Sequence, residues 1–359
     1  MRLLMLTRYG RQGASSRMRS FQYLPWLEAN GVETTVAPLL SDVYVKGLQQ
    51  GRKSWREALA AYPQRVRTLL NSRCFDLVWI EKEALPWLPA SIELSLMSRE
   101  TPFVLDYDDA VFHYYDLHRH SWVKWLLANK HPILMHRAAM VVAGNVYLAS
   151  HASASGARRV ELLPTVVDLD RYQPANAPAG AADHPKPTVG WIGQRSTATF
   201  LQPLAPVFER LRCEGLVQFR AIGIDAPTLG LPMDSEAWSE STEVEAIQRL
   251  DVGIMPLVDG PFERGKCGYK LIQYMACGVP VVASPVGVNA TIVEHGVNGF
   301  LASTTEEWEQ ALRTLAADPA LRHRMGQAGR AKVEREFCLQ VAGPQLAGWL
   351  QETASGKGA

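Results

Sequence analysis

A short glycine-rich turn, GKCGYK from Gly265 to Lys270, is the part of this sequence best suited to do chemistry. It follows an apolar run, DVGIMP, that predicts a strand, and it leads into YKLIQYMAC, whose apolar spacing predicts a helix that ends before Gly278. Glycines allow backbone N–H groups to approach a ligand closely, and the first turn of a helix attracts an anion. Lys270 adds a full positive charge in that turn. The pattern predicts an anion site suited to a diphosphate; an ordinary helix start with a solvated lysine is the alternative.

A second loop of the same kind follows the apolar run TVGWI. Gly193 ends that predicted strand, and Arg195, Ser196 and Thr197 come shortly after it in GQRSTATF. The guanidinium of Arg195 can pair with a phosphate, and the two hydroxyl groups can either bind a phosphate or cap a helix. We interpret this loop as a second part of the anion site. The alternative is that Ser196 is only a helix cap and Arg195 only a solvated side chain.

Three aspartates end a predicted strand in the first half of the chain, in TPFVLDYDDAVFHYY. Carboxylates such as Asp108 and Asp109 can bind the hydroxyl groups of a substrate or accept a proton from one. Asp106 and Asp108 also spell D-x-D, a metal-binding motif, but three-residue matches arise often by chance, and no metal site is predicted. His113 follows closely, and a structural or surface position is the alternative to a functional one.

Such loops require elements that bring the ends of strands together. Short apolar runs rich in Val, Leu and Ile alternate with longer segments of helical spacing. The alternation predicts an α/β fold with mostly parallel sheets covered on both faces. We predict two Rossmann-like, doubly wound domains facing a cleft, in residues 1–175 and 188–339, joined by a linker in 176–187, with a helix at 340–355 packing back on the first domain. Ligands of such sheets bind beyond the carboxyl ends of the strands.

Composition narrows the class of protein. The chain has 359 residues, of which 47% are hydrophobic and 20% charged, so it can bury the cores of two ordinary domains. Its five cysteines are scattered and form no C-x-x-C pair, which predicts neither a disulfide framework nor a zinc site. No apolar run reaches the length of about 18 residues that a membrane-spanning helix needs. We therefore expect a globular protein of the cytoplasm.

Two segments of the first half are candidates for contact with an anionic surface. Residues 46–73 hold seven basic side chains and one acidic side chain in a partly helical pattern. Such a basic amphipathic segment can lie on an anionic membrane or meet an anionic acceptor, and a solvated helix face is the alternative. Residues 120–135 contain Trp122 and Trp125 together with lysines. This segment can meet a lipid-linked acceptor, with core packing as the ordinary explanation of its tryptophans.

Longer runs of the sequence resemble a known family. The run GKCGYKLIQYMACGVPVVASPVGVNATIVEHGVNGFLA, from Gly265 to Ala302, is similar to the nucleotide-sugar-binding signature of family 4 glycosyltransferases, which have the GT-B fold. Two further runs, HRAAMVVAGNVYLASHASASGARRVELLPTVVDLDRYQP and RHRMGQAGRAKVEREF, resemble other parts of the same family. The resemblance implies transfer of a sugar from a nucleoside diphosphate sugar to an acceptor, usually with retention at the anomeric carbon. It also implies that the second domain holds the nucleotide and that the first supplies the acceptor site.

The resemblance assigns roles to individual residues. It implies that Lys270 and Arg195 stabilise the departing diphosphate and that Asp108 stands where the family often has a histidine near the sugar, so these three are the predicted catalytic residues. The predicted donor-binding residues are Gly193, Arg195, Ser196, Thr197, Gly268, Tyr269, Lys270 and Gln273. The acceptor-side candidates are Ser16, Arg17, Asp109 and His113.

Two departures from the family pattern affect the expected mechanism. Many members carry a pair of glutamates whose positions are occupied here by Gly265 and Gln273. Gln273 can still hydrogen-bond a ribose hydroxyl through its amide, and Glu263 can reach toward the first position from its loop. Since the best candidate for a nucleophilic carboxylate is absent, front-face substitution, in which the departing phosphate takes the acceptor proton, fits better than double displacement.

We predict a retaining glycosyltransferase that moves a sugar from a nucleoside diphosphate sugar to a cell-surface polysaccharide or glycolipid acceptor. A sugar-nucleotide epimerase of GT-B fold and a non-catalytic sugar-nucleotide-binding protein are the alternatives. The expected partners are the nucleotide sugar, a saccharide or lipid-linked acceptor and an anionic membrane at its inner face; a nucleic acid is not expected. No cofactor or metal is required besides the donor, since the cations are those of the protein. The sequence does not name the nucleotide base, the sugar or the linkage.

Overall fold

The computed structural model describes residues 1–49, 51–52, 54–175 and 186–356. Packing divides the chain into two units. The first comprises Met1–Thr165, Arg264–Cys267 and the residues from Gln340 on, and the second comprises Val166–Glu263 and Gly268–Leu339. The predicted linker, 176–187, lies outside the described residues except for its last two.

The first unit is built on a parallel sheet. Its strands are β1 (Arg2–Tyr9), β2 (Glu33–Leu40), β3 (Leu77–Glu81), β4 (Phe103–Tyr107), β5 (Met140–Ala143) and β6 (Val160–Leu162), in the order β2-β1-β3-β4-β5-β6. Every residue of β3 and β4 is buried, as continuous apolar runs require when both faces of a parallel sheet are covered. β2 lies at an edge of the sheet, where its Pro38 is tolerated because an edge strand can lack a donor.

Short helices connect these strands. They are α1 (Ala14–Arg19), α2 (Leu24–Ala29), α3 (Asp42–Gln49), α4 (Trp55–Ala60), α5 (Tyr62–Leu70), α6 (Ala90–Leu96), α7 (His113–Asp116), α8 (Ser121–Leu127), α9 (Lys130–Arg137) and α10 (Val146–Ala154), with 3₁₀ helices at Phe21–Tyr23 and Ser72–Cys74. Helices of four to nine residues are marginal on their own, so packing against the rest of the unit stabilises them.

The second unit repeats the plan. Its strands are β7 (Thr188–Ile192), β8 (Gln218–Ile222), β9 (Asp234–Glu236), β10 (Val252–Met255), β11 (Val281–Ala283) and β12 (Gly299–Leu301), all parallel, in the order β12-β11-β10-β7-β8-β9. Its helices are α11 (Arg195–Ala198), α12 (Ala205–Cys213), α13 (Glu243–Gln248), α14 (Pro261–Arg264), α15 (Tyr269–Ala276), α16 (Asn289–Ile292), α17 (Thr305–Ala317) and α18 (Pro319–Glu336), with 3₁₀ helices at Thr199–Leu204 and Pro227–Leu229. The central strands β7, β10 and β11 are buried throughout.

The boundary of the first unit falls at Thr165 rather than at residue 175. The reason is a short parallel bridge in the second unit: the N–H of Val167 donates to the carbonyl of Phe337 at 3.1 Å, and the N–H of Leu339 donates to the carbonyl of Val167 at 2.8 Å. These bonds hold the residues after Thr165 to the end of α18.

The last helix, α19 (Leu339–Ala354), lies with the first unit from Gln340 on. Its outer end is tied there by two side chains. Gln351 Nε2 donates to the carbonyl of Asn30 at 2.8 Å, and Arg159 Nη2 donates to Glu352 at 2.9 Å. The chain's last described helix is therefore part of the same unit as its first strand.

A buried cluster of charges lies in the first unit around Lys130, at the start of α9. Its ammonium is 2.7 Å from Glu83, which follows β3, and 2.6 Å from Glu93 of α6, and it donates to the carbonyl of Leu85. Although burial alone would raise it, the charge of Lys130 lowers the pKa of Glu83 to about 2. Burial outweighs the same attraction at Glu93, and the pKa of that carboxyl is raised. One buried ammonium thus compensates two buried carboxyl groups.

Candidate functional site

The order of strands reverses once in each sheet, and such a switch point is where open parallel sheets bind ligands. In the second unit the chain runs outward from β7 to β8 and β9 and then returns to β10 on the other side of β7. The loops after β7 and β10 therefore leave the sheet in opposite directions and open a gap. In the first unit the reversal lies between β1 and β3.

Gly193 and Lys270 are brought together at the switch point of the second unit. A β-carbon on Gly193 would come within 2.6 Å of the Trp191 ring and 3.0 Å of Lys270 Cε, so the glycine allows both side chains to pack closely against this turn. Lys270 Nζ lies 4.8 Å from the centre of the Trp191 ring, a cation–π contact that holds the ammonium over the end of β7. The structure thus joins one residue from each of the two predicted anion-binding loops.

Helix α15 begins at this gap after Gly268, which has no side chain to cap the first turn. Gly268 precedes the helix with a φ of +64°, a left-handed conformation that favours glycine. The first N–H groups of a helix lack partners inside the helix and attract an anion. Together with the charge of Lys270, this turn has the donors that a phosphate group needs.

Tyr274 fixes the position of α15 against the sheet. β7 and β10 pair through Val189 and Gly190 of β7, and two residues farther on the N–H of Ile192 donates to the Tyr274 hydroxyl at 2.9 Å instead of to a strand. Tyr274 is fully buried, and its ring crosses β10 at Gly253, where a β-carbon would collide with it. The phenol therefore occupies the place of a sheet hydrogen bond where the two central strands approach their carboxyl ends.

The predicted donor-binding residues Tyr269 and Gln273 take part in a hydrogen-bond network inside the second unit. Gln273 Nε2 donates to the Tyr172 hydroxyl at 2.8 Å, and the Tyr269 hydroxyl lies 3.3 Å from the same oxygen. Tyr172 donates to Glu243 at 2.6 Å, and Glu243 pairs with Arg171 at 2.7 Å. The amide nitrogen of Gln273 is engaged, and the residue is 3% exposed. The prediction that Gln273 binds a ribose therefore concerns its amide oxygen, which would accept a hydrogen bond from the ribose hydroxyl.

The three polar residues of the β7 loop lie at the surface or partly exposed. Arg195 and Ser196 are exposed, and Thr197 is half-buried. The residue that caps α11 is Gln194 rather than Ser196, and Thr197 Oγ1 donates to the carbonyl of Gln194 at 3.0 Å. The interpretation of Ser196 as a helix cap is therefore wrong, while its contact with a phosphate stays a prediction, as does that of Arg195.

The turn before α15, Arg264–Cys267, belongs to the first unit. Asn145 Nδ2 donates to the carbonyl of Gly265 at 2.8 Å, and the thiol of Cys267 donates to the carbonyl of Asp108 at 3.0 Å. Gly265, which stands where many family members have a glutamate, is buried and packs within the first unit. Its predicted role of presenting an N–H group to a ligand stays a prediction, because the bond from Asn145 engages its carbonyl and not its N–H.

Glu263, the proposed substitute for that glutamate, lies at the end of the second unit's segment before the turn. Its carboxylate sits 2.5 Å from the position of a β-carbon on Gly260 in the same loop. The side chain is half-buried. The structure therefore places Glu263 back over its own loop.

Asp108 lies at the carboxyl edge of the first sheet in a cluster with Ser15, Glu81 and Lys82. Lys82 Nζ is 2.7 Å from Asp108 Oδ1 and 3.7 Å from Glu81 Oε1. The Ser15 hydroxyl lies 2.6 Å from Asp108, 2.9 Å from Glu81 and 2.8 Å from Lys82. Burial opposes the ionisation of Asp108, but the charge of Lys82 outweighs it and lowers the pKa of Asp108. Asp108 is thus an anionic hydrogen-bond acceptor and a weak base.

Sequence reasoning missed Lys82 and Glu81. Lys82 has a φ of +65°, a left-handed conformation that is rare for a lysine, and its N–H donates to the carbonyl of Asp106 at 2.9 Å. Strained residues of this kind concentrate at functional sites. A signal was present, because Glu81 and Lys82 directly follow the apolar run FDLVWI, which predicts a strand, as Asp108 directly follows the run TPFVLDY.

Asp106, the first aspartate of the D-x-D motif, is paired with an arginine. Its two carboxylate oxygens accept hydrogen bonds from the Arg19 guanidinium at 2.8 and 2.9 Å, and both side chains are buried. Arg19 also donates to the carbonyl of Leu163 at 2.7 Å. In the part of the chain that the structure describes, no group of three or more His, Cys, Asp and Glu side chains is arranged to hold a metal ion.

Two of the acceptor-side candidates are buried. Ser16 is 0% exposed; its hydroxyl donates to Glu81 at 2.6 Å and accepts from the N–H of Tyr9 at 3.0 Å. Arg17 is 4% exposed. Ser16 therefore orients Glu81, and in this loop it is the neighbouring Ser15 that contacts Asp108.

The other two acceptor-side candidates, His113 and Asp109, differ in their contacts and in the exposure of their side chains. Both ring nitrogens of His113 have partners: Nδ1 lies 2.9 Å from Asp116, and Nε2 lies 2.8 Å from the Tyr147 hydroxyl. Asp109 is 3.8 Å from the ammonium of Lys266, and its side chain is 32% exposed. The structure thus leaves Asp109 more accessible to a substrate than His113.

Replacing Lys82 with methionine is expected to raise the pKa of Asp108, because the carboxylate loses its nearest positive charge and keeps Glu81 as a neighbour. The titration of the carboxyl carbon in protein labelled with ¹³C at aspartate measures it. Lys82→Arg, which keeps the charge, is the matched control and should hold the pKa low. An Asp108 titration that is the same in the methionine variant would show that Lys82 does not set it.

Parts of this chain are similar to proteins named as glycosyltransferases. Residues 237–318 match the family model described as Glycosyl transferases group 1. A D-inositol 3-phosphate glycosyltransferase of Rhodococcus opacus (strain B4) is 28% identical over 188 residues, which cover 45% of this chain and 41% of that protein. A GDP-mannose-dependent monoacylated alpha-(1-6)-phosphatidylinositol monomannoside mannosyltransferase of Corynebacterium glutamicum is 34% identical over 85 residues, 23% of this chain and 22% of that protein. The chain covers less than half the length of these curated relatives.

The fold as a whole is similar to that of solved structures. The Anabaena protein Alr3699/HepE in complex with UDP-glucose superposes with a TM-score of 0.73 and 17% sequence identity, covering 98% of this chain and 100% of that chain. At this identity the likeness shows the fold, and the predicted α/β fold of two parallel-sheet units of the GT-B kind is confirmed. A cleft faced by both units stays a prediction. Lys270, Tyr269 and Gln273 lie inside the region that matches the group 1 family model.

Proposed function

We propose that this protein is a retaining glycosyltransferase of family 4, which transfers a sugar from a nucleoside diphosphate sugar to a polysaccharide or glycolipid acceptor. The observation that carries the proposal is the meeting of Lys270 with Gly193 at the switch point of the second unit, beside the start of α15. The region that contains Lys270 matches the group 1 family model, and relatives that match part of this chain are named glycosyltransferases.

The chemical demand on the donor side is to stabilise a departing diphosphate. When the bond between the anomeric carbon and the phosphate oxygen breaks, the oxygen keeps the electron pair and gains negative charge. An ammonium and helix N–H groups fixed in advance stabilise that charge without reorganising, and such stabilisation is usually the largest part of catalysis. Lys270 and α15 supply these groups, and Arg195 is the second predicted cation. This part of the proposal requires no metal.

On the acceptor side the lowered pKa of Asp108 favours one of its two predicted roles. A carboxylate that Lys82 keeps ionised accepts a hydrogen bond from a sugar or acceptor hydroxyl but takes up a proton poorly. In front-face substitution the acceptor oxygen bonds to the anomeric carbon on the face from which the phosphate leaves, and the acceptor proton goes to that phosphate oxygen. The configuration at the anomeric carbon is then retained, and no protein base is needed.

The test is a donor screen followed by analysis of the product. Purified protein is incubated with UDP-glucose, GDP-mannose and the ADP and TDP sugars, with and without lipid-linked and saccharide acceptors, and release of the nucleoside diphosphate is measured. UDP-glucose comes first because a protein of the same fold binds it, and GDP-mannose second because a relative is named for it. Release that depends on the acceptor, with a retained anomeric configuration by NMR, supports the proposal.

Other outcomes of the same experiment separate the alternatives. A sugar nucleotide converted to its epimer without any acceptor would identify an epimerase. Binding of every donor without turnover would identify a sugar-nucleotide-binding protein. An inverted linkage would leave the transferase but remove the front-face mechanism.

The proposed setting is the cytoplasm, with the protein peripheral at the inner face of a membrane. A glycolipid acceptor would be presented there, and a relative acts, by its name, on a phosphatidylinositol mannoside. The peripheral setting does not depend on which surface of the protein contacts the membrane.

A further inference from the structure

Helix α8 of the first unit is apolar on two sides. Val123 and Leu127, four residues apart, point inward and are each 1% exposed. Trp122 is 65% exposed and Trp125 86% exposed, and Leu126 beside them is 42% exposed. Core packing, the ordinary explanation of these tryptophans, is therefore wrong. A helix on a protein surface normally turns a polar stripe outward, so an apolar stripe there indicates a binding surface.

The loop after β3 extends this surface. Trp87 is 50% exposed, and its ring packs edge-on against Tyr115, with 5.2 Å between the ring centres. Tyr115 belongs to the same buried cluster as the inward side of α8. Trp87 has a φ of +62°, so the backbone adopts a strained conformation where the indole stays outside. Together with Leu117, 55% exposed before α8, these residues form what we call the tryptophan face: Trp87, Leu117, Trp122, Trp125 and Leu126.

The charged side chains between Leu117 and Val160, which include those of α8, have one sign. Arg119 and Lys124 are exposed beside it. The sequence has no aspartate or glutamate between Asp116 and Glu161, and Asp116 lies 2.9 Å from His113. Indoles gather at the interface between water and lipid, and lysine and arginine are attracted by anionic headgroups. A saccharide-binding face would instead need carboxylate and amide groups for the sugar hydroxyls.

We propose that the tryptophan face docks the protein on a lipid bilayer with anionic headgroups. The indoles lie at the level of the headgroups, and Arg119 and Lys124 lie near the lipid phosphates. None of the described helices is long and apolar enough to cross a bilayer. The inference deepens the proposed peripheral setting but does not need sugar transfer, because vesicle binding is measured without donor or acceptor. The two proposals can therefore fail separately.

The experiment is co-sedimentation of the full chain with vesicles of phosphatidylcholine, with or without phosphatidylglycerol. The double variant Trp122→Ser/Trp125→Ser is expected to bind anionic vesicles at least about tenfold more weakly, since two indoles no longer enter the interface. Arg119→Gln/Lys124→Gln is expected to bind them roughly tenfold more weakly and to bind pure phosphatidylcholine as before. Equal midpoints of thermal unfolding show that the variants are folded.

The matched control lies in the basic segment 46–73. Trp55 and Leu59 of α4 are 65% and 58% exposed, and Trp55→Ser/Leu59→Ser removes a similar apolar area from that helix. This variant is expected to bind vesicles like the unchanged protein. Unchanged binding by Trp122→Ser/Trp125→Ser would overturn the proposal, as would loss of binding in the α4 variant alone. A change from dimer to monomer in the α8 variant, with vesicle binding unchanged, would identify the face as a contact between two copies and overturn it too.

Discussion

Replacing Lys270 with methionine is expected to slow sugar transfer by about 100- to 1000-fold and to weaken donor binding by about 1.5 to 3 kcal/mol. The ammonium lies over Trp191 and beside Gly193, where the first turn of α15 begins. Methionine keeps most of the volume of the lysine side chain and removes only the charge. The effect on rate is expected to exceed the effect on binding, because the diphosphate carries more negative charge on its departing oxygen in the transition state. Single-turnover transfer and calorimetric titration with the donor measure the two quantities.

Two further variants make the Lys270 result specific. Lys270→Arg keeps a positive charge and is expected to recover part of the rate, whereas Lys124→Met removes an exposed lysine of the first unit and should leave donor affinity unchanged. Donor affinity that is the same in Lys270→Met and in the unchanged protein would remove Lys270 from the site. It would also remove the observation on which the proposed function rests.

Replacing Lys130 with methionine is expected to destabilise the first unit by about 3 to 5 kcal/mol. The change leaves Glu83 and Glu93 buried at 3% and 1% exposure without the ammonium that lies 2.7 and 2.6 Å from them. Glu83 keeps Arg8 at 3.3 Å, but Glu93 loses the ammonium that lies 2.6 Å from it, and removing one partner of a buried ion pair is strongly destabilising. Because Lys130, Glu83 and Glu93 all belong to the first unit, hydrogen exchange of the buried amides of β3 and β4 is the measurement that reports on this change.

Two comparisons test the reason for that loss. Lys124→Met, on an exposed lysine, should change stability by no more than about 0.5 kcal/mol. Adding Glu83→Gln and Glu93→Gln to Lys130→Met should restore part of the stability, because the buried charges are then gone. The pKa of Glu83 is lowered in the folded state, so its contribution is present at neutral pH and is lost as the pH falls from about 4.5 toward about 2. A loss below about 1 kcal/mol in Lys130→Met would contradict this account.

The central strands could be predicted because burial on both faces leaves a continuous apolar run in the sequence. RLLMLT lies within β1 and VPVVAS contains β11. β9 and β12 were not predicted. They are three residues long, lie at the two edges of the second sheet, and are defined by their pairing with β8 and β11 rather than by their side chains. Such short edge strands have too few residues to show a period of two.

The donor side of the site could be predicted for a similar reason. The carboxyl ends of neighbouring parallel strands meet at one edge, so the loops that carry Gly193 and Lys270 had to lie close together once β7 and β10 were placed side by side. The cluster around Asp108 could not be predicted in the same way. Its bonds join Ser15, Lys82 and Asp108, which are far apart in sequence, and they depend on the left-handed backbone of Lys82.

The tryptophans of α8 show where hydrophobicity misleads. Apolar residues are more often buried than exposed, and this general tendency favoured the core for Trp122 and Trp125. The inward positions of the helix are taken by Val123 and Leu127, which are four residues apart and fill the space beneath it. Helical position, and not residue type, decides the outcome on a helix that has apolar residues on two sides.

Tyr274 holds helix α15 against the sheet in the absence of any ligand. Its hydroxyl satisfies the N–H of Ile192, so the protein does not depend on a bound molecule to keep that amide hydrogen-bonded. Under the proposed function the nucleotide binds beside a helix that is already held in place, and such preorganisation lowers the entropy cost of binding. We expect, therefore, that the nucleoside diphosphate product also binds and inhibits turnover, which initial rates in the presence of added product measure.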